Sequence, residues 1–488
     1  MSTLLRAAGG WRWRAAGAVT FVVALAARLG VILRAGGIHG IIGYDCGVYF
    51  AGADALIHGR LPYRDFTMVH PPGITLALAP FAALTNVMTD WHAFIVATVA
   101  FCVLGGVNAV LVLTVCRRLG VGMTGATVAA LFYAAWFGSV SGEFEVKLEP
   151  LANLFLLCGL LMVLNARGRR ATVLAGVVLG LTMTVKIWWV VPVALLVVWH
   201  GHRRRSVRAG LDLGAGALAA VVVVCLPFFL ADPSGMASSI VTDQLGRPRT
   251  ASTTSRLFGL STVRELSRHL SADTRTLASL VFAALVVAVV VLAWRGAAAA
   301  RVLIVMTVAQ LIVLVLAPSW FEYYSDYVAV SLSVTVGAAV ASVRRTWRVP
   351  GFAMAAGALA LTAAVTVAGT AAIRPYAGAA QLTSAVRGER CVMTNVTTLL
   401  IRLDALTRGL EDGCPNWIDV SGRRYGPDRP AALRADHTTW AAVLDRYLHS
   451  GDAIVLWHHR EAGRGTVLAR AGGHTVYATR PVTDPDAG

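Results

Sequence analysis

Long apolar runs recur along most of this chain. Between residues 21 and 372 many of them approach 20 residues, for example at 211–230, 277–294 and 352–370. An α-helix needs about 20 apolar residues to cross the hydrocarbon core of a membrane. A single water-soluble core cannot bury so many runs, so the pattern predicts an all-α polytopic membrane protein.

The first run, residues 15–33, follows Arg6, Arg12 and Arg14 and so begins like a secretory signal. It is longer than the apolar segment of a signal peptide, and it lacks an A-x-A-like cleavage site. We interpret it as a retained first transmembrane helix.

Arginine clusters between the runs orient the predicted helices, because cytoplasmic loops are enriched in Arg and Lys. All clusters fall on one face only if residues 74–87 do not span, and at about 14 residues this run is shorter than the ~17 needed. We expect it to lie along the outer surface, with the N-terminus of the chain in the cytoplasm. About eleven spans follow, near residues 15–35, 91–115, 121–138, 149–165, 171–186, 188–200, 209–231, 275–294, 300–317, 327–343 and 349–372.

This topology predicts a membrane module, residues 1–372, and an external C-terminal tail, residues 373–488. Its largest external loops are the first, residues 36–90, and the third, residues 232–273.

The tail has the composition of a soluble domain. Apolar patches at 453–457 and 475–477 predict strands, and residues 401–410 and 440–448 predict helices. We expect a small α/β domain outside the membrane. A disulfide between Cys391 and Cys414 is compatible with that compartment and would stabilise the domain by about 3 kcal/mol.

Composition supports this class, since 57% of residues are hydrophobic and only 14% are charged, against about 25% charged in soluble domains. The net charge of +17 comes from short arginine clusters between apolar runs. It therefore indicates topology and membrane lipids as partners, with no nucleic acid. The other five cysteines have no metal-ligand spacing and are interpreted as packing residues.

The first external loop carries an acid, Asp45, at the membrane boundary. An uncompensated carboxylate is costly there, so it indicates a functional residue. Helical spacing of apolar residues from Tyr49 onward predicts an amphipathic interfacial helix with Asp54 on its wetter face. A stiff, proline-rich segment follows, with Arg64, Asp65 and His70 close together in G-R-L-P-Y-R-D-F and H-P-P-G.

The order of these motifs, together with the topology over residues 10–345, resembles the GT-C superfamily of membrane glycosyltransferases. Within it, the pattern is most similar to the polyprenyl-phosphate-sugar-dependent enzymes related to protein mannosyltransferases, aminoarabinose transferases and actinobacterial mannosyl- and arabinosyltransferases. The resemblance implies that Asp45 is the catalytic base. Relatives often have Asp-Glu where this chain has Asp45 and Cys46, so the second acid stays open among four candidates: Asp65, Glu143, Glu145 and Glu149.

A lipid phosphate is already a good leaving group, so no second carboxylic acid need protonate it as in glycosidases. The reaction needs a carboxylate to accept the proton of the acceptor hydroxyl and cations to hold the departing phosphate. The candidate cations lie in external loops or at the outer membrane boundary: Arg64, His70, Lys147, Lys186, Arg247, Arg249 and Arg256. Lys186 fits equally well a lysine that snorkels within an aromatic belt.

Aromatic residues suit sugar rings and prenyl chains, and Tyr49, Tyr323 and Tyr324 are candidates for such contacts. Tyr323 and Tyr324 fit interfacial anchoring equally well. The 141–149 stretch, which holds three of the second-acid candidates, also fits a solvated turn.

Taken with the resemblance, these features predict an inverting transfer of a sugar, mannose or arabinose, from a polyprenyl-phosphate donor to a glycolipid, glycan or protein of the cell envelope. No cofactor and no metal are predicted, because nucleotide-binding and metal-ligand motifs are absent from the sequence. The alternatives are a transporter or flippase of a lipid-linked sugar and a noncatalytic glycan-binding scaffold. Transporters usually place polar sites at the bilayer midplane within repeated halves, whereas the acids here gather in external loops and no repeat is visible.

Overall fold

The computed structural model of the chain describes residues 2–40, 43–262, 271–296, 298–347, 378–424, 437–457 and 465–479, together with the isolated helical positions 357, 360, 364 and 367. Over the described residues up to 347 the chain is helical, with sixteen α-helices: α1 Ser2–Arg34, α2 Tyr44–Ile57, α3 Gly73–Ala82, α4 Asp90–Arg118, α5 Met123–Ala135, α6 Phe137–Glu143, α7 Leu148–Asn165, α8 Arg169–Val185, α9 Val190–Arg204, α10 Val207–Ala231, α11 Pro233–Ala237, α12 Asp243–Leu245, α13 Thr253–Leu260, α14 Ala272–Trp294, α15 Arg301–Leu316 and α16 Ala329–Trp347.

Seven helical segments in the described part of the chain are long and apolar enough to cross a membrane, or up to eight if the bent pair α5 and α6 is one span. These segments confirm the predicted polytopic all-α class. They are Gly10–Arg34, Asp90–Arg118, Leu148–Asn165, Val207–Ala231, Ala272–Trp294, Ala298–Leu316 and Glu322–Val343.

The remaining predicted spans differ from these seven for physical reasons. Helices α8 and α9 stand where the fifth and sixth spans were predicted, but a turn at Ile187–Trp189 separates them and each is shorter than 18 residues. Helices α5 and α6 meet at an angle of 52°, because Trp136 between them is extended, with φ −68° and ψ 127°. Of the span predicted at 349–372, the structure describes only the isolated helical positions 357, 360, 364 and 367.

The chain forms two compact units. The first consists of Met1–Arg34, Ala100–Val224 and Pro248–Ile373. Its helices approach closely where glycines face each other: a Cβ on Gly125 of α5 would meet the carbonyl oxygen of Gly337 on α16, and a Cβ on Gly337 would meet that of Gly125. Small residues of this kind let membrane helices pack backbone to backbone.

The second unit consists of Ala35–Val99, Cys225–Arg247 and Arg374–Gly488, so it joins most of the predicted first external loop to the tail. The tail contributes a four-stranded sheet of order β1-β2-β4-β3, in which β1 and β2 are parallel and the other pairs antiparallel. Its elements are α17 Ala379–Val386, β1 Val392–Thr394, α18 Thr397–Arg402, α19 Leu406–Glu411, α20 Val420–Arg423, α21 His437–Leu448, β2 Ala453–Trp457, β3 Thr466–Ala471 and β4 His474–Ala478.

This mixed sheet with helices confirms the predicted small α/β fold of the tail. The strands predicted at 453–457 and 475–477 are present as β2 and β4, and the helix predicted at 440–448 lies within α21. The single helix predicted at 401–410 is wrong: α18 and α19 are separated at Asp404, whose φ is 56°. Asp404 accepts a hydrogen bond from the backbone N–H of Asp90 at 2.8 Å, which favours this left-handed turn over a continuous helix.

Cys391 and Cys414 are joined as a disulfide, with their Cα atoms 5.6 Å apart. The bond links the residue before β1 to the segment that follows α19. Of the remaining cysteines, Cys46, Cys102 and Cys116 are buried, as packing residues are.

Candidate functional site

Asp45 lies in the first turn of α2, in the second unit. The helix begins after Gly43, which is extended, and Thr398 of α18 donates from its hydroxyl to the carbonyl oxygens of Gly43 and Tyr44. The unpaired N–H groups at a helix N-terminus favour a negative charge. The tail therefore holds the start of α2, and with it Asp45, in place.

The tail also places a second carboxyl group beside Asp45. The Tyr44 hydroxyl donates to Asp419 Oδ1 at 3.0 Å and accepts from the Ser421 N–H at 2.6 Å. Asp419 caps α20 by accepting from the Gly422 N–H at 2.7 Å. Asp419 was not among the candidates from the sequence, because its partner Tyr44 is 375 residues away.

The electrostatic environment of Asp419 reflects this arrangement. The pKa of the Asp419 carboxyl is raised above its ordinary value, mainly because the group is buried. The Gly422 N–H lowers this pKa, the negative charge of Asp45 raises it further, and the guanidinium of Arg247 lowers it. Burial and the neighbouring Asp419 likewise raise the pKa of the Tyr44 phenol. Asp45 and Arg247 thus both lie within electrostatic reach of Asp419.

The proline-rich segment folds against α2. Tyr63, at φ 72°, donates from its hydroxyl to the His70 carbonyl at 2.7 Å. The Tyr49 and His70 rings meet edge to face, with their centroids 5.8 Å apart. Arg64 and Asp65 form an ion pair at 2.7 Å, and the Arg64 side chain is half-exposed. The hydrogen bond from Arg64 lowers the pKa of the Asp65 carboxyl.

The prediction that α2 is amphipathic with Asp54 on a wetter face is wrong. Residues 46–55 of α2 are all buried, and the exposed fraction of Asp54 is 0%. Its carboxylate accepts from the Thr407 hydroxyl at 2.8 Å and lies 3.5 Å from His58 Nδ1. Burial raises the pKa of Asp54 to about 6. Local spacing could not reveal this, because Thr407 belongs to the tail.

The 141–149 stretch lies in the first unit and is buried, so the interpretation as a solvated turn is wrong. Glu143 pairs with Arg28, with 2.9 Å between Arg28 Nε and Glu143 Oε2, and accepts from the Tyr133 hydroxyl at 2.7 Å. Both members of the pair have an exposed fraction of 0%. Asn108 donates to the other Glu143 oxygen at 3.2 Å.

Two lysines with aromatic neighbours follow in the same unit. Lys147 Nζ lies 3.4 Å from Glu145 and 4.3 Å from the ring centroid of Tyr323. Lys186 Nζ lies 2.5 Å from Glu149 and 3.9 Å from the ring centroid of Tyr324. The structure therefore brings together the predicted acids, lysines and tyrosines of this unit as two ion pairs on an aromatic surface.

In the first unit, the two arginine candidates, Arg249 and Arg256, donate mainly to backbone carbonyl groups. The guanidinium of Arg256 donates to the carbonyl oxygens of Ala251, Leu314, Ala317 and Pro318. Arg249 donates to the Ala251 and Val315 carbonyls and to Thr253. These contacts fasten the loop that precedes α13 to the C-terminal end of α15.

Solved structures share this fold. ArnT from Cupriavidus metallidurans in its apo state aligns with a TM-score of 0.61 at 16% identity, covering 97% of this chain and 98% of that chain. The oligosaccharyltransferase of Archaeoglobus fulgidus in its apo form aligns with a TM-score of 0.57 at 12% identity, covering 91% of this chain and 69% of that chain. The fold is that of the GT-C membrane glycosyltransferases, as the motif order predicted.

A family model narrows the class. The model of Glycosyltransferase family 87 matches residues 66–318, more than half of the chain. The chain belongs to this family and is a multi-pass membrane glycosyltransferase. No curated protein matches it in sequence.

Proposed function

We propose that this chain transfers a sugar from a polyprenyl-phosphate donor to a cell-envelope acceptor on the external face of the membrane, with inversion at the anomeric carbon. In this orientation the N-terminus is cytoplasmic and the tail is external. The observation that carries the proposal is Asp45 at the N-terminus of α2, in a chain of family 87. The ArnT structure that includes undecaprenyl phosphate supports a lipid-linked donor, since its fold is shared over 95% of this chain.

In the proposed reaction, Asp45 accepts the proton of an acceptor hydroxyl as that oxygen attacks the anomeric carbon. The new carbon–oxygen bond forms while the bond between the anomeric carbon and the phosphate oxygen breaks. Polyprenyl phosphate leaves with the electron pair. One carboxylate suffices, because the phosphate needs cations rather than a proton as it departs.

Arg247 is the cation that we propose for the donor phosphate within the second unit. It lies close enough to act on the charge of Asp419, and a guanidinium can bind two phosphate oxygens at once. His70 and Arg64 are further candidates in that unit. Lys147 and Lys186 are the candidates of the first unit, where aromatic rings hold both ammonium groups.

The donor sugar that we propose is mannose or arabinose, and the acceptor is a glycolipid, glycan or protein of the cell envelope. Both choices rest on the resemblance of the first-loop motifs. Among the second-acid candidates, Asp65 and Glu145 are less buried than Glu143 and Glu149, whose exposed fractions are 0%. We therefore favour Asp65 or Glu145 for a second acidic role.

The test is sugar transfer by purified protein in nanodiscs with radiolabelled polyprenyl-phosphate sugars and envelope acceptors. Loss of a general base typically costs about 10²–10⁴-fold in rate, so we expect Asp45→Asn to lose transfer by that factor while it still folds and binds donor. The matched control is Asp273→Asn, since Asp273 is also an acid in the first turn of a helix but is exposed.

Equal transfer by Asp45→Asn and wild type would remove Asp45 as the base. If wild type transfers no sugar from any donor while labelled lipid crosses the bilayer of proteoliposomes, the chain is instead a transporter of lipid-linked sugar.

A further inference from the structure

A cavity of about 220 Å³ lies within the second unit, between the proline-rich segment and the tail. Its polar lining comes from Arg60, Asp65 and Thr67 on one side and from Asp419 and Arg423 on the other. Pockets for drug-sized ligands measure about 300–1,000 Å³. This cavity is therefore on the scale of a single sugar ring.

Asp419 presents an unused oxygen to the cavity. Both hydrogen bonds that it accepts, from Tyr44 and from Gly422, go to Oδ1, and Oδ2 accepts none from the residues that the structure describes. The exposed fraction of Asp419 is 5%, and Oδ2 is part of that exposed surface. A carboxylate oxygen that the protein leaves accessible and unbonded can accept a hydrogen bond from a hydroxyl group of a ligand.

Neighbouring residues hold two arginines of the lining in place. Arg60 donates to the carbonyl oxygens of Leu410 and Cys414 at 3.3 Å. The Arg423 guanidinium lies 4.3 Å from the ring centroid of Trp417, which stacks on Tyr447 at 4.0 Å and an interplanar angle of 10°. Side chains held in this way lose little conformational freedom when a ligand binds.

The chemistry of the lining suits a polyol. Two carboxyl groups, Asp65 and Asp419, line the cavity together with the Thr67 hydroxyl and the guanidinium groups of Arg60 and Arg423, so hydrogen-bond acceptors and donors stand side by side. Sugar hydroxyls can donate to carboxylates and accept from guanidinium groups and from hydroxyls such as Thr67.

We propose that this cavity binds one sugar unit of the acceptor, and that Asp419 Oδ2 and the Thr67 hydroxyl hold its hydroxyl groups. The inference rests on the proposed function, since it specifies the acceptor as a carbohydrate. Tyr44 connects the sugar cavity to the proposed base, because it precedes Asp45 in the chain and its hydroxyl donates to Asp419. A sugar held by Asp419 would thus lie next to the residues that position the base.

The experiment measures sugar binding without transfer. Methyl glycosides of mannose, arabinose, glucose and galactose are titrated against the full chain in nanodiscs, and binding is followed by saturation-transfer NMR. We expect at least one glycoside to bind, and we expect Asp419→Asn and Thr67→Val each to weaken its binding at least fivefold. The amide oxygen introduced by Asp419→Asn can still accept from Tyr44 and Gly422, and Thr67→Val keeps the side-chain shape, so thermal unfolding should change little in either variant.

The matched control is Asp412→Asn, which changes a more exposed carboxylate of the same tail and should bind the glycoside as wild type does. In the transfer assay, Thr67→Val should raise the KM for acceptor at least fivefold with the KM for donor unchanged. Asp419→Asn also changes the charge near Asp45 and so could affect catalysis directly. Thr67→Val changes no charge, so its effect on the KM for acceptor reports acceptor binding alone.

The outcomes distinguish this inference from the proposed function. If no glycoside binds wild type, or if both variants bind as wild type does, the cavity is not a sugar site, whatever the transfer assay shows. If glycosides bind and the variants lose them while Asp45→Asn transfers normally, the cavity holds sugar and the assignment of the base is wrong.

Discussion

The two units bury charge in different ways. In the first unit, two buried acids meet buried cations: Glu143 pairs with Arg28, and Glu149 with Lys186, while the buried Asp326 accepts from the Asn153 amide. In the second unit, Asp54 and Asp419 are held by hydroxyl and backbone N–H groups, and within the described residues neither accepts a hydrogen bond from a lysine or arginine. A buried carboxylate that meets a cation keeps its charge, whereas a buried carboxyl group held by hydroxyl and N–H groups can remain partly neutral and exchange its proton.

This difference distinguishes the acids of the first unit that form ion pairs from the candidate functional acids of the second unit. The Arg28–Glu143 pair, which also accepts hydrogen bonds from Tyr133 and Asn108, leaves little capacity for a substrate. The carboxyl groups of the second unit have raised pKa values because burial disfavours their charge. Acids of this kind are typical of functional sites, and one of them, Asp419, lines the proposed sugar cavity.

The largest expected effect comes from breaking the Arg28–Glu143 pair. Arg28→Met would leave Glu143 buried without its cation, and loss of one partner of a buried pair costs about 3–5 kcal/mol. We expect a marked fall in the thermal unfolding temperature in detergent. The double variant Arg28→Met/Glu143→Gln removes both charges and should recover most of the loss. A double variant as unstable as the single one would show that the pair is not an ion pair in the native protein.

An intermediate effect is expected for Asp54. Because its pKa is raised to about 6 from the ordinary 3.8, this group contributes stability that is fully present below about pH 4 and is lost as pH rises through 6. The difference amounts to at most about 3 kcal/mol. Asp54→Asn should therefore be more stable than wild type at pH 7.5, and this advantage should vanish near pH 4.

The measurement is thermal unfolding of both proteins between pH 4 and 7.5, with Asp412→Asn as the exposed control. A constant difference between Asp54→Asn and wild type across that range would contradict a raised pKa at Asp54.

The smallest effect is expected for an exposed ion pair of the first unit. Arg169 and Asp212 also form an ion pair, at 3.0 Å, but the exposed fraction of Arg169 is 67%. Exposed pairs contribute about 0.2–1 kcal/mol, so Arg169→Gln should shift the unfolding temperature little compared with Arg28→Met. A loss as large as that of Arg28→Met would mean that burial does not set the strength of these pairs.

The sequence predicted the elements that depend on neighbouring residues. Apolar runs predicted the spans, alternation predicted β2 and β4, and the motif order around Asp45 predicted the superfamily. It did not reveal contacts between distant segments: Arg28 meets Glu143 across 115 residues, and Asp54 meets Thr407 across 353. Asp419 was missed for the same reason, since in the sequence it is only an acid in a polar tail.

The division of the second unit along the chain has a consequence for biosynthesis. Residues 35–99 are made early, but Thr398 and Thr407, which hold the start of α2 and bury Asp54, are made about 350 residues after their partners. At roughly 5–20 residues per second, the ribosome needs about 18–70 s to synthesise that interval. Until then Asp54 lacks its Thr407 partner, so a segment that is made late completes one that is made early.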